Sequence, residues 1–206
     1  MNRFLVALLL VLSSARFIGA ADVKDELPSI FNAKDLTGWK VPADNKWWKV
    51  VDGVLVGEND EAKKGSMLYT EKEYGDLIVE AEVRWSGEID SGFMVRKPEI
   101  QMQIGISRSL KKDMTGSFYC HRGYPEPGQA KNATKLIKEG DWNTMRLQAV
   151  GPKYTVWLNG EKIVEYEDPA FPNAGPIGLQ IHPGLKMKVE FRNIKAKALD
   201  AVAKKG

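Results

Sequence analysis

From Val79 to Trp85 the chain alternates without a break, and Leu77 keeps the same phase: Leu77, Val79, Ala81, Val83 and Trp85 are apolar, while Glu80, Glu82 and Arg84 are charged. Successive side chains of a β-strand leave opposite faces, so this pattern requires a strand with one face in a core and the other in water. Short segments of similar character recur at 47–51, 54–57, 66–70, 92–96, 99–105, 116–121, 142–150, 154–159, 162–166, 175–182 and 186–199, punctuated by Gly, Asp, Asn and Pro. Asp52-Gly53 and Asn159-Gly160 sit between apolar runs, where a two-residue turn with positive φ makes a hairpin. No long segment carries the helical period; residues 130–138 allow one short helical turn. The fold class predicted is all-β, a jelly-roll sandwich of two antiparallel sheets.

The ends read differently. A short positive start, an apolar run from Phe4 to Leu12 and a small-residue stretch to Ala21 have the form of a secretory signal peptide over 1–21. With Arg3 and Arg16 removed, the 30 basic residues become 28 against 27 acids, and the net charge falls from +3 to +1. Neither that balance nor any basic stripe suggests a nucleic-acid partner. Cys120 is the sole cysteine, so there is no internal disulfide and no cysteine at the cleavage site to carry a lipid anchor. The expectation is a soluble exported protein, periplasmic or extracellular, with one domain over 22–199 and a frayed tail over 200–206. The residues do not specify an oligomeric state.

Polar pairs mark a candidate site. Gln180 and His182 share one strand face, with Leu179 and Ile181 on the other. Glu99, Gln101 and Gln103 share a face in the same way, with Ile100, Met102 and Ile104 turned inward. Arg96 is a Lys97-Pro98 turn away from Glu99 and can stand beside it, as part of a site or as an ordinary surface ion pair. Tyr119, His121 and Trp142 add aromatic and imidazole groups, whereas Trp39, Trp48, Trp85 and Trp157 read as core. Amides, an Arg, carboxylates and flat rings on one face suit a saccharide. Two loops, 107–115 and 122–141, are longer than connection needs and are candidate walls.

A series of motifs carries a resemblance. Phe31-Asn32-Ala33-Lys34-Asp35-Leu36-Thr37-Gly38-Trp39, Asp52-Gly53-Val54-Leu55, Asp90-Ser91-Gly92-Phe93-Met94-Val95-Arg96, Glu99-Ile100-Gln101, Trp142-Asn143, Val156-Trp157-Leu158-Asn159-Gly160 and the closing Gly-Leu-Gln-x-His and Phe-Arg-Asn-Ile segments occur in order. Together they resemble the 3-keto-disaccharide hydrolase family, also described as a 3-keto-glucoside 1,2-lyase and 3-keto-2-hydroxy-glucal hydratase domain. The resemblance spans nearly all of the chain after residue 21 and implies a concanavalin A-like sandwich. Some positions depart from it. The family's strand Tyr-Glu-Val-Gln-Ile-Leu-Asp is here Pro98-Glu99-Ile100-Gln101-Met102-Gln103-Ile104. Its closing acid is therefore Ile104, and Gln103 stands where an apolar residue is usual. Asp90 replaces the common Asn, and Pro183 interrupts the usual His-Gly.

The resemblance implies cleavage of 3-keto-glycosides. A ketone at C3 makes the C2 hydrogen acidic; a base removes it, and the enolate expels the C1 aglycone. His182 or Glu99 is the expected base, and Arg96, His121 or a divalent metal the group that holds the enolate oxygen. Glu99, His121 and His182 are the candidate metal set. Gln101, Gln103, Tyr119, His121, Trp142 and Gln180 are the expected substrate contacts. The acid missing at Ile104 favours the alternative, a non-catalytic carbohydrate-binding module of the same fold. A retaining β-glucanase is excluded: Glu88-Ile89-Asp90 begins its Glu-x-Asp-x-x-Glu motif, but Phe93 occupies the place of the second Glu.

Overall fold

The computed structural model describes residues 27–199; the signal peptide read over 1–21 and the tail read over 200–206 lie outside them. Its strands are β1 (Trp39–Lys40), β2 (Trp48–Val51), β3 (Val54–Glu58), β4 (Ser66–Tyr74), β5 (Leu77–Trp85), β6 (Asp90–Val95) and β7 (Ile100–Ser107). Then come β8 (Lys112–Asp113), β9 (Phe118–Tyr119), the helical turn α1 (Ala133–Leu136), β10 (Asn143–Val150), β11 (Lys153–Leu158), β12 (Glu161–Glu167), β13 (Gly175–Ile181) and β14 (Lys188–Ala198).

Two antiparallel sheets form a jelly-roll sandwich. The first runs β1-β4-β13-β6-β7-β8, with β9 also paired to β7; the second runs β12-β11-β10-β5-β14-β3-β2. Leu77, Val79, Ala81, Val83 and Trp85 of β5 face inward, from fully buried Leu77, Ala81 and Val83 to Trp85 at 8% exposure. Phe93 on β6 meets Phe191 on β14 edge to face, ring centroids 5.9 Å apart, which ties the two sheets across the core. Both hairpin turns form as predicted. Asp52 and Gly53 have φ of 49° and 79°, and Asn159 and Gly160 have 51° and 88°, matching the right-handed twist of the flanking strands.

Some local expectations change. Trp157 is half-buried, not core: its neighbours Val156 and Leu158 take the inward positions, and Arg146 lies 5.8 Å over its ring. Of 116–121 only Phe118–Tyr119 pairs as strand, and β8 forms inside the loop after β7. Among the described residues no helix is long and apolar enough to cross a membrane.

Candidate functional site

β13, β6 and β7 lie side by side in the first sheet. Leu179, Phe93 and Met102 occupy facing core positions, so the alternate positions face outward. Gln180 and His182, Asp90 and Gly92, and Gln101 and Gln103 therefore share the outer face. The backbone N–H of His182 donates to Asp90 O (3.2 Å), which sets these two residues opposite each other.

Gly92 lets the amides meet. A Cβ there would come within 2.6 Å of Gln101 Nε2, so any side chain would occupy the space that the Gln101 side chain crosses. Gln101 Nε2 donates to Gln103 Oε1 (2.7 Å), Gln180 Oε1 (3.2 Å) and Ser91 O (3.2 Å). Gln103 Nε2 donates to Asp90 Oδ1 (2.9 Å), and the backbone N–H of Arg108 donates to Asp90 Oδ2 (2.9 Å). Asp90, Gln101 and Gln103 are all buried, so each partner matters.

His182 Nδ1 lies 2.7 Å from Pro183 O. A carbonyl only accepts, so Nδ1 carries the proton, and in the neutral ring Nε2 is left with its lone pair bare. Around it a cavity of about 510 Å³ is lined by Asp90, Gln101, Gln103, Gln180 and His182, walled by Tyr119, Tyr124 and the 107–109 segment. It exceeds the cavities beside Trp85 (about 320 Å³), Arg84 (about 360 Å³) and Arg96 (about 230 Å³). Its volume lies in the range of small-molecule sites. The rings of Tyr119 and Tyr124 are 4.9 Å apart, and Tyr119 is 40% exposed, a surface on which a sugar ring can rest. Burial pushes the Tyr124 hydroxyl up to about 12, helped by the Asp90 charge and opposed by a hydrogen bond with Ser107. It stays a neutral donor across the physiological range.

The expected site residues thus divide. Gln101, Gln103, Tyr119, Gln180 and His182 line one cavity. Glu99 does not line it; its carboxylate partners the Tyr69 hydroxyl, which burial and this hydrogen bond push well above the usual tyrosine range. Arg96 does not stand in the cleft either. Its backbone is left-handed (φ 71°), and its guanidinium donates to Asp76 Oδ1 (2.8 Å) and Gly151 O (3.1 Å). Trp142 lies against the second sheet, with Arg84 4.5 Å and Arg192 4.1 Å from its ring. His121 is exposed beyond β9, its ring 6.1 Å from that of Phe171. Among the described residues no three His, Cys, Asp or Glu side chains are grouped to hold a metal, so Glu99, His121 and His182 are not gathered into a ligand set.

Sequence reasoning missed Asp90, Ser107, Arg108, Ser109 and Tyr124. Asp90 was legible only as a departure from the family pattern. The arginine that lines the cleft is Arg108, whose guanidinium pairs with Glu88 (3.2 Å). Arg108 and Tyr124 come from the two long loops. The carboxylate expected at the end of β7 is absent because Ile104 faces the core, but Asp90 supplies one from the neighbouring strand.

A match over residues 26–197 shows that the chain belongs to the 3-keto-alpha-glucoside-1,2-lyase-like domain family. A candidate glycosyl hydrolase from Parabacteroides distasonis, solved at 1.70 Å, is 26% identical, with a TM-score of 0.60 over 83% of this chain and 93% of that one. A second from the same organism, at 24% identity, has a TM-score of 0.66 over 85% of this chain and all of the other. The fold is also that of the carbohydrate-binding module CBM66 from Bacillus subtilis, at 14% identity and a TM-score of 0.51 over 79% of this chain and 96% of that one. No curated protein matches the chain.

Proposed function

We propose that the protein cleaves 3-keto-glycosides, with His182 as the base. The observation that carries this reading is the Nδ1 contact to Pro183 O, which leaves Nε2 free as the acceptor on a cleft of saccharide size. Nε2 takes the C2 proton, and the C2–H electron pair becomes the enolate across C2 and C3. The enolate re-forms the ketone as C1 and C2 become doubly bonded and the C1–O bond breaks, its electrons leaving with the aglycone oxygen, which takes up a proton. Water then adds across the C1=C2 bond. The Tyr124 hydroxyl and the Arg108 guanidinium are the donors offered to the enolate oxygen, in the role first considered for Arg96. Without the ketone the C2 proton is far beyond the reach of a side-chain base, so plain glucosides are not substrates.

A second reading, a saccharide-binding module without turnover, is favoured by the likeness to CBM66 and by the core-facing Ile104. Incubation with 3-keto-trehalose and with trehalose, each with and without a chelator, separates the two. Release of product from the keto sugar alone is the expected result. Cleavage of trehalose would indicate a conventional glycosidase, and binding without turnover of either sugar the module. Loss of activity with chelator would assign the enolate oxygen to a divalent cation. The site of action proposed is outside the cytoplasm, and a mature N-terminus near Asp22 in material from the native cell would support it.

A further inference from the structure

The two polar departures from the family pattern, Asp90 for Asn and Gln103 for an apolar residue, touch each other: Gln103 Nε2 donates to Asp90 Oδ1 at 2.9 Å. We propose that Asp90 is a positioning residue that sets the polarity of the whole amide row, and so decides which hydrogen-bonding groups the cleft presents to a sugar. This rests on the reading of the cleft as a saccharide site.

The argument is one of donors and acceptors. A carboxylate only accepts, whereas a glutamine amide can turn either end outward. With Asp90 Oδ2 taken by the backbone N–H of Arg108, Gln103 points its nitrogen at Oδ1. Its Oε1 then faces Gln101, which must answer with Nε2, and that same Nε2 meets Gln180 Oε1. What remains for a ligand is Oε1 of Gln101 as an acceptor and Nε2 of Gln180 as a donor. Buried amides cannot leave these contacts unmade without a penalty, so the choice made at Asp90 propagates.

Asparagine at position 90 would reverse the row. Its Oδ1 would keep the Arg108 N–H, and its Nδ2 would force Gln103 to accept. Gln103 Nε2 would then face Gln101, which would accept with Oε1 and turn away from Ser91 O, giving up that 3.2 Å contact, and Gln180 would donate across Gly92. The ligand would meet a donor where it had met an acceptor, and an acceptor where it had met a donor. A hydroxyl can turn to suit one partner, but a pattern fixed at two points discriminates. The double substitution Asp90→Asn with Gln103→Glu moves the acceptor-only group one strand along. It restores the original sense at Gln101 and Gln180.

Neutron structures of the wild type and of Asp90→Asn, without ligand, read the amide orientations directly. For a variant that does not crystallise, nuclear Overhauser contacts of the glutamine side-chain amide protons do the same. The expected result is reversal of Gln101, Gln103 and Gln180 in Asp90→Asn and their return in the double variant. With 3-keto-trehalose, KM should rise about 30-fold in Asp90→Asn with kcat nearly unchanged, and recover most of that in the double variant. Unreversed amides in Asp90→Asn, or a double variant no better than the single one, would overturn the proposal. If the wild type turns over no keto sugar, the functional reading fails, while the ligand-free orientations still decide the role of Asp90.

Discussion

The two sheets present outer faces of similar polarity and opposite character. On the second sheet Arg84 pairs with Glu190 (2.7 Å), Arg192 with Glu82 (2.9 Å) and Arg146 with Glu80 (3.7 Å), and Trp142 and Trp157 carry arginines over their rings. These charged groups and rings have found their complements within the protein. On the first sheet the amides also satisfy one another, but Gln101 keeps Oε1, Gln180 keeps Nε2 and His182 keeps its own Nε2 for a ligand. Gly92 lowers the floor, and the loops after β7 and β9 raise walls. Aromatic rings beside arginines therefore do not make a site. Unspent hydrogen-bonding capacity in a walled hollow does.

The sharpest way to break this contrast is at the base. His182→Ala should lower turnover of 3-keto-trehalose by about 10²–10⁴-fold. The fold should persist, because His182 is only partly buried. A turnover loss below about fivefold would move the base elsewhere.

Arg96 should show the opposite profile. Its side chain is 3% exposed, and its partner Asp76 also accepts the Gly151 N–H (2.9 Å), so the pair pins β6 to the turn before β11. Arg96→Met leaves a carboxylate without its cation and should cost about 3 kcal/mol, a fall in Tm of about 6–12 °C. Activity per folded molecule should not change. A variant of wild-type Tm and abolished turnover would return Arg96 to the chemistry.

Acid should weaken the second face selectively. The hydrogen bond from Arg192 holds the Glu82 carboxyl below its usual 4.5, assisted by Asn193 and nearby cations and opposed by partial burial. A pKa lower in the folded than in the unfolded state stabilises above the unfolded value and is lost as pH falls through the folded one. Glu82→Gln should therefore melt below wild type at pH 7, by about 1 kcal/mol, and the gap should close as pH drops below 4.5. Melting curves across that range check it; a gap that persists in acid would mean that packing, not charge, is lost.

How much of this the sequence carried depends on how local each cause is. The alternation of β5 and the Asp-Gly and Asn-Gly turns are set by residues a few places apart, and they were legible. The shared faces of Gln101 with Gln103 and of Gln180 with His182 follow from the period of two. That β6 lies between β7 and β13, bringing the two pairs together across Gly92, rests on pairing over some 80 residues and leaves no local mark. Arg96 misled for the converse reason. Nearness to Glu99 suggested a pair, but its left-handed backbone and the pull of Asp76, twenty residues earlier, take the guanidinium elsewhere. The family pattern supplied the reaction in which His182 is the expected base. Asp90 was visible only as a departure from that pattern, whose meaning needed the neighbouring strand.

An effect of the same modest size is also the cleanest test of the contrast between the faces. Trp142 is followed by β10, where Met145, Leu147 and Ala149 point inward, so the ring belongs with the residues that point out, over Arg84 and Arg192. Both guanidiniums already hold carboxylates, and the ring adds a cation–π contact to each. At such exposed positions each contact contributes about 0.5–1 kcal/mol, so Trp142→Ala should lower Tm by about 2–8 °C. Turnover of 3-keto-trehalose should be unaffected, because nothing on this face reaches the cleft. A rise in KM of about tenfold without a change in Tm would mean that the second sheet takes part in holding sugar. The difference drawn here between spent and unspent faces would then be wrong.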